Sequence, residues 1–223
     1  MTEGRTHKDR SIRAIFWDFG GVITSSPFEA FNAYEAERGL PRDFIRGVNA
    51  RNPHDNAWAH LERGDIDLAT FCHRFEQEAL QLGHRVPGED VLRLLSGRVR
   101  PRMLAALARL RGHFKMACLT NNVRRGHGPG MAVDAERAAQ VAEAMGLFDR
   151  VLESSKLGVR KPEPRFYQLA CEQMSVAPSE VVFLDDLGVN LKPAREMGMH
   201  TIKVTAAEQA LSELGGVLGM KLE

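Results

Sequence analysis

Five short apolar runs, each separated by enough chain for a helix or an excursion, constrain this sequence more than anything else in it. They cover 12–17, 115–119, 150–152, 181–184 and 200–204. Each suits a strand buried on both faces, although 150–152 is the weakest. Between them, 101–111 sets Met103, Leu104, Leu107 and Leu110 at helical spacing, and 134–145 opens on the capping acid Asp134 and stops before Gly146. The stretch 163–174 carries Pro164 where a first turn tolerates it, and 191–197 follows a candidate cap, Asn190, and stops at Gly198. Strand and helix alternating in this way predict an α/β fold built on a parallel sheet with helices on both faces.

Residues 24–97 break the alternation. Helical patterns fill 28–38, 42–48, 56–63, 68–82 and 90–95, and no convincing strand interrupts them. Gly39-Leu40-Pro41, Arg63-Gly64-Asp65 and Val86-Pro87-Gly88 punctuate the series. The expectation is an all-helical insertion over 24–97, a core from 12–23 and 98–223, and a frayed tail over 1–11. The opening MTEGRTHKDR is polar and has no apolar h-region, which argues against a secretory signal.

Composition excludes several classes. Thirty basic residues against 29 acidic ones leave a formal net charge of +1, so there is no basic footprint for nucleic acid. No run approaches the ~20 apolar residues of a membrane helix. Three widely spaced cysteines, Cys72, Cys118 and Cys171, read as free thiols of a cytoplasmic protein.

In a parallel α/β sheet, ligands bind beyond the carboxyl ends of the strands. After the first run stands Asp18, and after the second stand Thr120, Asn121 and Asn122. Ser154, Ser155 and, further on, Lys161 follow the third, and Asp185 and Asp186 close the fourth. Asp18, Asp185 and Asp186 together are costly unless a cation neutralises them. A hard oxygen set of this kind suits Mg²⁺, which keeps waters and binds through one or two carboxylates plus substrate phosphate. Lys161 faces the negative ligand and helps keep Asp18 ionised. Thr120 and the amide of Asn121 can donate to phosphate oxygens. A carboxylate nucleophile with a metal and a lysine is the equipment of phosphoryl transfer through an aspartyl-phosphate. Gly20 and Gly21 let the backbone turn sharply beside the ligand.

These residues carry a resemblance. DFGGV at 18–22, LTN at 119–121, Lys161 in KLGVRKPEP and FLDD at 183–186 resemble the four ordered motifs of the haloacid dehalogenase-like hydrolases. The match runs from about residue 12 to 205. SEVVFLDDLGVNLKPAREMGM and VRKPEPRFY are similar to the N-terminal phosphatase domain of mammalian soluble epoxide hydrolases. The resemblance implies a Rossmann-like core with a helical cap over the site. It implies Asp18 as nucleophile and Mg²⁺ held by Asp18, the Gly20 carbonyl and Asp186, with Asp185 a neighbouring ligand or an acceptor behind it. The substrate implied is a small phosphorylated metabolite. The chain departs from the pattern at Gly20, where phosphatases of the family usually carry a second Asp as general acid and base. That help is worth about 10²- to 10⁴-fold, and a good leaving group needs it least. Some bacterial sugar-phosphate phosphatases of the family resemble this chain in reading Asp-x-Gly. His54 and His60 are the candidates for a substitute acid.

Two other readings stand beside the phosphatase. One is dehalogenation by Asp18, since dehalogenases of the family also lack the second acid but need no metal. The other is a regulatory module that binds phosphate and metal without useful turnover. Asp18-Phe19-Gly20 spells the kinase DFG, yet no glycine-rich loop or HRD accompanies it. Gly126 to Gly130 is glycine-rich but has neither the GK[ST] ending of a P-loop nor a dinucleotide spacing, so it reads as an excursion after the second motif. No HExxH or GxSxG is present, which argues against a zinc or serine hydrolase. The aromatics Phe28, Phe31, Phe44, Trp58, Phe71 and Phe75 read mostly as helix packing, and Arg46 and Arg51 as solvated unless one touches a substrate anion. Oligomeric state is not legible.

Overall fold

The computed structural model describes residues 11–123 and 135–222. The expected tail up to residue 10, the glycine-rich stretch 126–130 and the cap at Asp134 lie outside the described residues. Strand β1 (Ala14–Trp17) is fully buried and sits at the centre of a sheet ordered β3-β2-β1-β4-β5. The others are β2 (Lys115–Thr120), β3 (Arg150–Glu153), β4 (Val181–Asp185) and β5 (His200–Lys203). Every neighbouring pair is parallel. Register decides what emerges at the edge. Trp17 stands opposite Cys118 on β2 and Leu184 on β4, and the next step places Asp18 level with Asp185.

Alternation along β1 assigns the helices to faces. Ile15 and Trp17 pack in one apolar cluster with α6 (Pro101–Leu110), α7 (Ala135–Met145) and α11 (Ala207–Leu218). Ala14 and Phe16 pack in the other with α9 (Pro164–Met174) and α10 (Gly188–Glu196), and the one-turn α8 (Ser154–Leu157) directly follows β3. The fold is α/β, Rossmann-like, with helices on both faces. Two elements differ from the sequence expectation. Helix α10 starts at Gly188 rather than after Asn190, because Asp185 Oδ1 accepts from the Leu187 N–H at 2.8 Å and so satisfies the backbone just ahead of the first turn. Asn190 is therefore inside the helix, its side chain turned to Asp185. Helix α11 was not anticipated, although Ala207, Ala210, Leu211 and Leu214 have helical spacing and are buried. Gly215 disguised it; a Cβ there would lie 2.5 Å from the Met220 carbonyl, so packing excludes any side chain.

Between β1 and α6 run α1 (Pro27–Arg38), α2 (Phe44–Ala50), α3 (Ala57–Arg63), α4 (Leu68–Gln81) and α5 (Gly88–Arg93). They share an apolar cluster of their own, with Phe31, Phe44, Phe71 and Phe75 buried in it. Glu35 is buried too. Its two oxygens accept from the backbone N–H groups of Asp43 at 2.7 Å and Ile45 at 2.8 Å, capping α2, which has no side-chain cap of its own. The helical segment leaves and rejoins the sheet as a close pair. Thr24 bridges Val99, Ser25 N–H donates to the Arg98 carbonyl and Arg100 N–H to that of Ile23. Among the described residues no helix is long and apolar enough to cross a membrane.

Candidate active site

Directly after β1 the chain makes one wide turn over Phe19–Ile23, and Asp18 sits at its mouth. Asp18 Oδ1 accepts from the Phe19 N–H at 2.6 Å and lies 2.7 Å from Lys161 Nζ. Oδ2 takes part in neither contact. Gly21 has φ +77°, and a Cβ there would stand 2.1 Å from Asp186 Oδ2, so only glycine fits. Gly20 differs: its φ of −67° and ψ of 131° are ordinary, and a Cβ would meet nothing within 4 Å. No steric demand accounts for the missing second acid.

Lys161 is fully buried, with Nζ also 2.8 Å from Asp185 Oδ2. Burial works against its ammonium, but Asp18 and Asp185 outweigh it and raise the pKa, so the side chain stays charged. Burial pushes the Asp18 carboxyl well above the usual range and Asp185 adds to this, while Lys161 pulls the other way. Asp185 has every oxygen occupied: Oδ1 by the Leu187 N–H, Oδ2 by Lys161, and both by the Asn190 amide at 3.1 Å. Asp186 is different again. It is half-buried, its one side-chain hydrogen bond among the described residues comes from the Ser26 hydroxyl at 3.3 Å, and burial followed by Asp185 pushes its pKa up to about 6. Oxygens of Asp18, Asp185 and Asp186 lie within 4.8 Å of one another. Three carboxylates thus face one ammonium.

The remaining expected residues fall as follows. Thr120 is buried at the end of β2, its hydroxyl 3.4 Å from the Asn121 carbonyl. The Asn121 side chain is committed to the Lys161 backbone, accepting from its N–H and donating to its carbonyl, both at 2.9 Å. That leaves the Asn121 main chain as its group for a ligand. His60 has both ring nitrogens engaged, by Asp55 at 2.8 Å and Asp65 at 3.1 Å. His54 and Arg51 are exposed, and Arg46 pairs with Asp43 and lies over the Phe28 ring. Sequence reasoning missed Ser26, Asn190 and Glu62 as parts of the site's frame. Ser26 had a signal, since Ser-Pro opens a helix. Asn190 and Glu62 act only through tertiary contacts and had none.

A sequence profile for the haloacid dehalogenase-like hydrolases matches residues 12–198. The chain is similar to bifunctional epoxide hydrolase 2 of Sus scrofa, 30% identical over 224 residues, 95% of this chain and 40% of that protein. It is also similar to phosphatase MT3486 of Mycobacterium tuberculosis (strain CDC 1551 / Oshkosh), 30% identical over 230 residues, 93% of this chain and 97% of that protein. In fold it matches a HAD family enzyme from Bacteroides thetaiotaomicron crystallised with magnesium and inorganic phosphate, at a TM-score of 0.60 and 20% identity over 92% of this chain and 99% of that one. Of several longer curated relatives, the chain spans only between 20% and 40% of the length.

Proposed function

This chain belongs to the haloacid dehalogenase-like hydrolases, and from that premise we propose that it is a Mg²⁺-dependent phosphatase acting on a small phosphorylated metabolite through an aspartyl-phosphate on Asp18. The observation that carries the reading is the charge count at the sheet edge. Among the described residues one ammonium serves three clustered carboxylates, and it already lies against Asp18 and Asp185, which leaves Asp186 without a cation from that set. The donors there are all oxygen, which fits Mg²⁺ rather than a softer ion. Asp18, the Gly20 carbonyl and Asp186 are the groups that would hold it. When bound, the ion offsets the negative charge of the carboxylates and of the phosphoryl oxygens. The similarity to a mycobacterial phosphatase over nearly its whole length also supports a phosphate ester as substrate.

Asp18 attacks phosphorus with Oδ2, and the ester oxygen leaves with the bonding pair. Lys161, fixed on Oδ1, stays protonated and stabilises charge on the transferred group. The Thr120 hydroxyl and the Asn121 backbone N–H hold its oxygens. Water then attacks phosphorus, releasing inorganic phosphate, regenerating Asp18 and giving its proton to solvent. Residues 24–97 form the cap in this reading, and the protein works in the cytoplasm. With glycine at position 20 no side chain there protonates the departing oxygen. The substrates favoured are anomeric sugar phosphates, acyl phosphates and aryl phosphates. Because the space beside Gly20 is open, Gly20→Asp should raise turnover of alkyl phosphates by about 10²- to 10⁴-fold and change an aryl phosphate little.

The direct test is phosphate release from a substrate panel, with and without EDTA, for the wild type and Asp18→Asn. Expected is metal-dependent release that falls by roughly 10⁴-fold or more in the variant. Equal release from both proteins would overturn the mechanism. Halide release from a 2-haloacid that survives EDTA would replace it with dehalogenation.

A further inference from the structure

One carboxylate of the helical segment is buried where that segment meets the sheet. Glu62, near the end of α3, has a side chain only 8% exposed, and three donors converge on it. Trp58 Nε1 donates to Oε1 at 2.8 Å. Arg160 Nε and Asn121 Nδ2 donate to Oε2 at 2.6 Å and 3.1 Å. The Glu62 carbonyl also accepts from Ser154 Oγ at 2.6 Å. A buried carboxylate that takes its partners from so far along the chain is costly to place unless every contact is made. Its partners are not general surface groups. Arg160 immediately precedes Lys161, and Asn121 is the residue that grips the Lys161 N–H and carbonyl. The next residue of α3 repeats the arrangement with reversed charge, since Arg63 reaches Glu163 at 3.2 Å. The loop carrying the buried lysine is therefore held on both flanks by two successive residues of the helical segment.

We propose that Glu62 is a positioning residue for the reaction: docking of α3 against Arg160 and Asn121 sets the Lys161 peptide, and through it the ammonium between Asp18 and Asp185. The kinetic consequence rests on the phosphatase reading, while the positional one does not. Glu62 touches no reacting atom. It acts on how accurately Lys161 is placed, and a displacement of about 1 Å is enough to cost on the order of 10²-fold in rate. The lysine site is then complete only when the helical segment is seated against the 157–163 loop.

The test compares Glu62→Ala, Glu62→Gln and Trp58→Phe by steady-state kinetics on an aryl phosphate and by hydrogen exchange followed by mass spectrometry. Glu62→Ala is expected to lower kcat by roughly 10- to 100-fold with KM within about threefold. It should also speed exchange in 157–163. Glu62→Gln keeps an acceptor towards Arg160 and Asn121 and should recover most of both losses, and Trp58→Phe should leave 157–163 as in the wild type. Faster exchange confined to 57–81, with 157–163 unchanged, would show a purely local packing role and overturn the proposal, as would a wild-type kcat in Glu62→Ala. If Glu62→Ala does not fold, Glu62→Asp, which withdraws the carboxylate from Arg160 and Asn121 by one methylene, decides: faster exchange at 157–163 supports the proposal and wild-type protection there overturns it. A wild type that turns over no phosphate ester would sink the phosphatase reading alone, since the exchange measurements still report whether Glu62 holds the loop.

Discussion

Asp185 and Asp186 are neighbours in the chain and opposites in their surroundings. Asp185 ends β4 and is closed off, with a lysine, an asparagine amide and a backbone N–H filling its oxygens. Asp186 lies one step beyond the strand, over the Gly21 turn, with a single 3.3 Å hydroxyl contact from Ser26. The closed half is a structural brace whose charges cancel. The open half holds surplus negative charge and is strained by it. A pair of adjacent acids can thus divide the work: one fixes the lysine, and the other, in the proposed reading, would hold the metal. Substitutions that treat the two alike should separate them.

The largest effect is expected from neutralising each acid in turn, measured by urea denaturation in EDTA at pH 7.5. Asp185→Asn leaves the buried Lys161 with one counterion and turns an amide N–H₂ towards existing donors, so stability should fall by about 3–5 kcal/mol. Asp186→Asn should act in the opposite direction. Its carboxyl is raised from 3.8 to about 6 by burial and by Asp185, so at pH 7.5 the folded state carries a penalty that the unfolded chain lacks. Removing it should stabilise the metal-free protein by about 3 kcal/mol. Two losses of similar size would show that the acids do not differ as described.

A smaller contrast lies in the two glycines. Gly21→Ala places a methyl group on a left-handed residue and against the Asp186 carboxylate, and should cost about 1–3 kcal/mol. Gly20→Ala enters an ordinary conformation with open space and should change stability by less than about 0.5 kcal/mol. Thermal melts of the two variants in EDTA read the difference, and equal losses would mean that the turn, rather than the carboxylate above it, sets the constraint.

What the sequence disclosed, and what it hid, divides along similar lines. Strand runs and the acids after them were legible because burial on both faces leaves continuous apolar stretches, and Asp18, Lys161 and Asp185 follow such runs in order. The helices over 27–93 were legible by periodicity and by Gly and Pro breaks. Contacts between distant parts were not. Asn121 stands after the second run as an expected phosphate donor, but that its side chain holds the Lys161 backbone was not legible. Asn190 looked like a helix cap, yet it lies inside α10 and serves Asp185. His60 looked free to donate a proton, but Asp55 and Asp65 occupy both its ring nitrogens. Glu35 and Glu62 give no signal in the sequence and are buried, each by donors that periodicity cannot reveal.

The smallest expected effect concerns how a cation and a proton compete at the open half. Between pH 3.8 and about 6 the folded protein holds a proton on Asp186 that the unfolded chain has released. Stability from this group is therefore greatest at low pH, falls as pH rises through that window, and levels off above about 6 with the penalty complete. Burial raises Asp18 as well, so its contribution has the same sign. Mg²⁺ relieves the penalty only where the carboxylate is ionised. At pH 5, one unit below the Asp186 value, about nine-tenths of the carboxyl is protonated, so the apparent Mg²⁺ affinity should drop about tenfold relative to pH 7.5, roughly 1.4 kcal/mol at saturating metal. For a chain of this size that is a difference of roughly 3–6 °C in the rise of Tm on adding Mg²⁺. Melts at the two pH values, each with Mg²⁺ or EDTA, measure it, and Asp186→Asn should remove most of the response at both. A rise in Tm that is equal at pH 5 and 7.5, or that persists in Asp186→Asn, would place the ion elsewhere and leave the open half unexplained.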